Sequence, residues 1–388
     1  MNRTLLAVFL ASLTVCMAVV VIQAGGFSRA AAKTIHVPKD YISIQEAIDN
    51  AAPGETIQVN SGTYREHVIV DKPVLLIGED KTTTIIDGSG TGTVVQIDSD
   101  NVLVANFTVR NAASDQWFGH GFPDGCIRVQ DVENVAILNN VMSQATVAVW
   151  SFYSTNVNCS GNSVSDTSTM GTVDYNCVNS SISGNHLDDC GLIGVHLDGG
   201  SQNCKITGNT IENCLDGIDV EKSSGNLIQR NVLLSDNMSM CFTEDTGNTV
   251  EYCTLQNSSV GVGFIGASGN TFTHNSFIGN ARQVASNFNT DSLARNQWDS
   301  DGVGNYWSDY SAKYPNATEV GSTGTADTAY VIDAGNADHH PLISPAPTPT
   351  ATPSVPEFPF MATLLLVAPL VSACLLTQRK RRNTPLEP

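Results

Sequence analysis

The sequence predicts an all-β chain, a single-stranded parallel β-helix solenoid, and three observations predict it. The pattern Asn-x-apolar recurs at Asn140-x-Met142, Asn162-x-Val164, Asn185-x-Leu187, Asn209-x-Ile211, Asn231-x-Leu233, Asn275-x-Phe277 and Asn296-x-Trp298, with Cys253-x-Leu255 in the one gap. Successive separations are 22, 23, 24, 22, 22, 22 and 21 residues, a period that gives one solenoid coil per repeat. Within a coil the apolar residues alternate with polar ones, as in Ile218-Asp219-Val220-Glu221, which is strand periodicity.

The chain opens with Arg3 ahead of an apolar run from Leu5 to Ile22, then small residues at Ala24 to Gly26 and Ala30 to Ala32. That order reads as a secretory signal, or an uncleaved N-terminal anchor, over residues 1–32. Residues 33–60 form a cap: Ile44, Ala47, Ile48 and Ala51 are spaced as one short amphipathic helix, which would cover the apolar end of the stack. The coils then run to residue 300. One coil cannot bury its inward residues alone, whereas coils stacked at strand spacing build a continuous core and pair every backbone amide. Repeated Asn suits the corners, because it tolerates left-handed backbone and its amide can bond the Asn of the next coil. A closing segment, 301–343, leads to a Pro/Thr/Ala spacer at 344–359 that cannot pack a core and stays extended.

Phe360 to Thr377 are 18 uncharged, mostly apolar residues followed by Arg379, Lys380, Arg381 and Arg382. They read as a transmembrane segment with a basic cytoplasmic tail at 378–388, which puts the solenoid outside the cell. Pro356-Glu357-Phe358-Pro359, the apolar segment and the basic cluster together resemble the PEF-type carboxy-terminal sorting signals of archaeal surface proteins. That resemblance implies a sortase-like processing enzyme as a partner; a permanent membrane anchor is the alternative.

With Lys+Arg 19 against Asp+Glu 38, the net charge of −19 excludes nucleic acid and anionic membrane faces as partners and favours cations or neutral surfaces. Ten cysteines are present, of which Cys16 and Cys374 fall in the terminal apolar segments. An even remainder in an oxidising compartment permits disulfides. Cys190 and Cys214, 24 residues apart at equivalent coil positions, are the disulfide candidate, with stacked free thiols as the alternative. No CxxC pair occurs, which argues against a thiolate zinc site.

The cap, the Asn-x-apolar coils, and the stretch from Asn296-Gln297-Trp298 through Gly304-Asn305-Tyr306-Trp307-Ser308-Asp309-Tyr310 to His340-Pro341-Leu342 resemble the NosD-type right-handed β-helix proteins over roughly residues 34–343. Right-handedness is implied by that resemblance alone. The resemblance also implies carbohydrate binding or processing at the cell surface, with a copper-related role in one branch. The Asp/Gly-rich turn expected before the last strand is degenerate here, at Glu319 to Asp327.

Aligning the strand after each turn gives inward pairs Ile127/Val129, Val147/Val149, Val173/Tyr175, Val195/Leu197, Ile218/Val220, Met240/Phe242 and Val262/Phe264. One outward row then reads Arg128, Ala148, Asp174, His196, Asp219, Cys241, Gly263, and its neighbour reads Gln130, Trp150, Asn176, Asp198, Glu221, Thr243, Ile265. Asp198 beside Glu221 is a destabilising pair of like charges that a cation, a raised carboxyl pKa or a protonated His196 would offset. Asp174, Asp198, Asp219 and Glu221 are therefore the candidate acid/base or cation-binding groups, with His196 to shuttle a proton. Arg128 is the candidate receptor for a uronate-like carboxylate. Trp150, with Trp117, Phe118 and His120 of the insertion at 112–125, would offer rings and polar contacts to sugars.

Other motifs carry less. Gly119-His120-Gly121 and Asp188-Asp189 resemble polygalacturonase motifs but in reverse chain order, and Gly171 to Tyr175 resembles a pectin methylesterase element without its companions. Asp299, Asp301, Asn305 and Asp309 are a candidate calcium set, since hard cations take clustered oxygens. The histidines are dispersed and the adjacent His339 and His340 should face opposite ways, a poor arrangement for copper. Glycan binding without catalysis is the first functional expectation. A lyase, hydrolase or epimerase acting on uronate-containing glycans is the second, and a copper accessory protein the third.

Overall fold

The computed structural model describes residues 33–113, 123–286 and 294–346. One compact unit from Ile35 onward holds the solenoid. Parallel strands stack coil upon coil in three columns. One column is a sheet of 11 strands, from Thr34–Val37 to Thr271–Thr273. The other two belong to a sheet of 19 strands, joined where the long strands Val141–Phe152 and Ser163–Tyr175 run unbroken round a corner. The lumen is filled by apolar residues in register, Ile127 with Val149 and Val195 with Ile218, Met240 and Val262, all fully buried. The cap helix forms at Ile44–Asn50, with Ser43 Oγ accepting the Glu46 N–H at 3.1 Å and Ile44, Ala47 and Ile48 closing the end of the lumen.

The repeated asparagines build a ladder at one corner. The backbone N–H groups of Asn140, Asn162, Asn185 and Asn209 each donate to the side-chain oxygen of the ladder residue one coil on, at 2.8–2.9 Å. The Asn209 side-chain amide also donates back to Ile182 O at 2.9 Å, so each rung satisfies backbone groups of neighbouring coils. Contrary to the expectation from the repeat, the ladder asparagine does not itself take the left-handed conformation. The residue ahead of it does, Asn139 at φ 54°, Gly161 at 65° and Arg230 at 57°. Cys253 fills its rung, accepting the Asn231 N–H on Sγ at 3.4 Å.

A second ladder, Cys204, Asn226, Asn248, Asn270, Asn296 and Asn336, runs along another corner. It corrects one repeat: Asn296 belongs there, and Asn305 is the residue that follows Asn275. The closing segment stacks Trp298 on Phe272 and Trp307 between Phe277 and Tyr330, with ring centroids 4.3–4.8 Å apart. Asp338 Oδ2 accepts both the Asn305 N–H and the Trp307 indole N–H, at 2.7 and 2.9 Å. The aromatic stack shuts the second end of the lumen.

Cys190 and Cys214 are buried free thiols, not a disulfide. Equivalent residues of adjacent parallel coils sit about 4.8 Å apart with parallel Cβ vectors, beyond the Cβ separation a disulfide uses. The Cys190 thiol beside it, and then burial, push the Cys214 thiol up.

Candidate functional site

The outward face of the column running through Gly125–Gln130, Val141–Phe152, Ser163–Tyr175, Ile193–Asp198 and Asp216–Glu221 carries the candidate groups. Its observed row is Arg128, Trp150, Val173, His196, Asp219, Cys241, Gly263. This departs from the expected row at two coils. A bulge between Ala145 and Val147 shifts the pairing from a 22- to a 23-residue separation, and a one-residue slip moves side chains to the other face. Asp174 is therefore an inward residue, in register with Ser151 and Leu197 and 1% exposed, and cannot serve a surface site. Burial raises its carboxyl to about 7, opposed by the Ser151 side chain. Tyr175 takes the outward place expected for Asn176, between Phe152 and Asp198.

Trp150 points outward but is only 4% exposed, packed with Val147, Phe152, Met170, Val173 and Ile193. It presents no open ring face to a sugar. Trp117, Phe118 and His120 lie outside the described residues.

Arg128 stands where expected. Its Nη2 donates to Gln96 Oε1 at 2.7 Å, its buried Nε has no hydrogen-bond partner, and it forms no ion pair among the described residues. It lines a cavity of about 400 Å³ shared with His67, Thr91, Thr93, Gln96 and Asp124. The His67 ring is fixed by Thr93 O at 2.8 Å and Thr91 Oγ1 at 3.1 Å. Sequence reading missed Gln96 and His67. The alternation Val95-Gln96-Ile97, one coil before Arg128, was the available signal for Gln96.

At the other end of the face, the structure brings His196, Asp198, Asp219 and Glu221 together. His196 pairs with Asp219 in register, its Nε2 3.7 Å from Asp219 Oδ2. One ligand atom from each of His196, Asp198 and Glu221 lies within 4.8 Å of the others. Burial lowers the His196 pKa, against the pull of Asp198 and Glu221. Burial first, then Asp216, Glu221 and Asp198, raise the Asp219 carboxyl to about 8. Asp216, which sequence reading missed, is raised to about 6 by burial. Lys222 Nζ bonds Glu221 Oε1 at 2.5 Å, and Asp198 Oδ1 accepts the Gly199 N–H.

The candidate calcium set is not assembled. Asp299 Oδ2 accepts the His339 N–H at 2.8 Å, and Asn305 is buried in its ladder. Asp309 accepts from Gln283 Nε2 and from the Tyr330 hydroxyl, while Asp301 is an exposed turn residue. Nor do His339 and His340 diverge: both Nδ1 atoms face Asp299 Oδ2, at 3.2 and 3.6 Å.

The class is then clear: a parallel β-solenoid with a titratable outward face. Residues 94–312 match the family described as periplasmic copper-binding protein (NosD), and the chain belongs to that family. Over 145 residues it is 26% identical to a cell surface glycoprotein of Methanothermus fervidus, spanning 37% of this chain and 22% of that one. The chain thus covers about a fifth of that relative's length. Among solved structures it is similar to the A-module of the Azotobacter vinelandii mannuronan C-5 epimerase AlgE6, at TM-score 0.52 and 17% identity over 64% of this chain and 74% of that one. It is also similar to XylC in complex with xylose, at TM-score 0.56 and 12% identity over 66% and 70%. A third is the catalytic domain of a GH87 alpha-1,3-glucanase with nigerose, at TM-score 0.50 and 14% identity over 70% and 58%. At these identities the likeness is one of fold.

The family description implies copper, and the donors here do not fit copper(I). Copper(I) calls for thiolates, thioethers or clustered imidazoles. The eight described cysteines are buried, with Cys126, Cys159 and Cys253 thiols pushed up to about 12 by burial, and the described methionines are buried too. The one group of three potential ligands among the described residues has a single imidazole and two carboxylates.

Proposed function

We propose that this chain is a cell-surface protein that binds an acidic polysaccharide without converting it, with Arg128 receiving a uronate carboxylate. One observation carries the reading. In a chain with twice as many acidic as basic residues, Arg128 is held by Gln96 on the wall of an open cavity with no carboxylate partner among the described residues. A partly buried guanidinium with unmet donors is matched by a planar carboxylate, bound in bidentate fashion. The sugars and the epimerase named for the structural neighbours, and the surface location named for the archaeal relative, support the same reading. Arg128 and His196 are three coil spacings apart, about 14 Å, so a polymer laid along the stack would meet both.

The full chain should be retained on an immobilised uronate polymer, and Arg128→Gln should weaken retention at least ~10-fold. Equal retention of the variant would overturn the receptor role. New unsaturated, shortened or epimerised products would overturn the noncatalytic reading in favour of an enzyme using Asp219 beside His196. In the same proposal, residues 360–377 hold the solenoid at the membrane until a sortase-like enzyme acts, and truncation after residue 343 should release the protein from cells. No helix among the described residues is long and apolar enough to cross a membrane, and both terminal apolar segments lie outside them.

A further inference from the structure

We propose that His196, Asp198 and Glu221 form a site for one borderline divalent cation, Zn²⁺ or Mn²⁺, on the outward face of the solenoid. His196 and Asp198 project from alternate positions of one strand, and Glu221 from the next coil. Their ligand atoms already lie within 4.8 Å of one another, and ligands about 2.0–2.2 Å from a shared ion need only a small closure from there. The strands that carry them are fixed by Val195, Leu197, Ile218 and Val220, all fully buried, so the backbone of the set is rigid.

A second observation points to a ligand. His196 is only 6% exposed, yet its Nε2 makes no hydrogen bond and stands 3.7 Å from Asp219 Oδ2, in the cluster that Asp198 and Glu221 share. A buried ring nitrogen without a partner carries a desolvation cost that a metal bond would remove. The carboxylates keep capacity for an ion, because Asp198 engages Oδ1 with the Gly199 N–H and Glu221 engages Oε1 with Lys222, leaving one oxygen on each. Lys222 now supplies part of the counter-charge. Its half-exposed side chain already lies 3.9 Å from Glu244 and can move there when an ion arrives.

The donor set selects the ion. A single imidazole among the ligands disfavours calcium, which takes oxygen, and the absence of thiolate, thioether or a second imidazole disfavours copper(I). One nitrogen and two oxygens leave open positions for water, or for hydroxyls of a bound sugar. The proposal stands apart from the glycan reading, because it is tested with metal alone.

Chelator-stripped full chain is titrated calorimetrically with ZnCl₂ and MnCl₂, and in parallel with CaCl₂ and copper, without any sugar. One of the first two ions should bind. Glu221→Gln, Asp198→Asn and His196→Ala should each remove one equivalent or weaken it at least ~10-fold, with circular dichroism unchanged. If His196→Ala misfolds, the two carboxylate variants still decide. Wild-type stoichiometry and affinity in those variants, no binding of zinc or manganese, or binding of copper or calcium alone would overturn the site. Retention on glycan could fail with this result intact, and the reverse.

Discussion

The Asn ladder and the outward acidic face both stack like side chains on like at coil spacing, and they have opposite consequences. An amide is both donor and acceptor, so Asn185, Asn209 and Asn231 satisfy one another and the backbone at once. A carboxylate only accepts, so Asp198 stacked beside Glu221 is repulsion that needs a proton, a lysine or an ion. The same repeat that stabilises the corner therefore concentrates unmet charge on the face. Asp236 shows the boundary case. It occupies an inner corner, accepts the Cys214 N–H on Oδ1 at 2.9 Å, and leaves Oδ2 buried without a partner. Burial raises its carboxyl to about 8, so it imitates an asparagine by holding a proton.

The comparison breaks most sharply if a ladder rung is removed. Asn209→Ala strands the Asn185 N–H and side-chain amide and the Ile182 carbonyl, and should cost about 3 kcal/mol in chemical denaturation. A loss below about 1 kcal/mol would show that the ladder contributes little.

Asp236→Asn should act the other way, adding about 1–2 kcal/mol at pH 7. The folded chain keeps the Asp236 proton up to about pH 8, whereas an unfolded aspartate loses it near 3.8. Stability contributed by the protonated acid is therefore fully present below that lower pH and is lost as pH rises towards 8. Asp174 and Asp245, each raised to about 7, act in the same direction. Melting temperature followed from pH 4 to 8 should fall in the wild type and fall less in Asp236→Asn. Cys253→Asn, which replaces a 3.4 Å bond to sulfur by an amide rung, should add about 0.5–1 kcal/mol, read from the denaturant midpoint. Smallest of all, Glu221→Gln in metal-free protein should add about 0.5 kcal/mol by relieving Asp198, and that gain should shrink at high salt.

Legibility in the sequence followed how local each feature was. The coil period, the cap helix at Ile44, Ala47 and Ile48, the Cys253 rung and the adjacency of Asp198 and Glu221 were all readable, because each depends on spacing within one or two coils. The face of Asp174 was not, because one extra residue earlier in its own strand, between Thr167 and Met170, reverses it. Alternation alone places Trp150 at the surface, and alternation is blind to whatever packs over an outward residue.

By itself the sequence determined the solenoid, its corner chemistry and the acidity of one face, since a 22-residue period and repeated Asn admit few other ways to pair backbone and bury apolar side chains. Tertiary structure alone decided which acids share that face, that Arg128 opens on a cavity, and that Cys190 and Cys214 stay unbridged. Those outcomes depend on register and on sub-ångström differences in stacking distance, and a single inserted residue changes them while leaving the coil pattern intact.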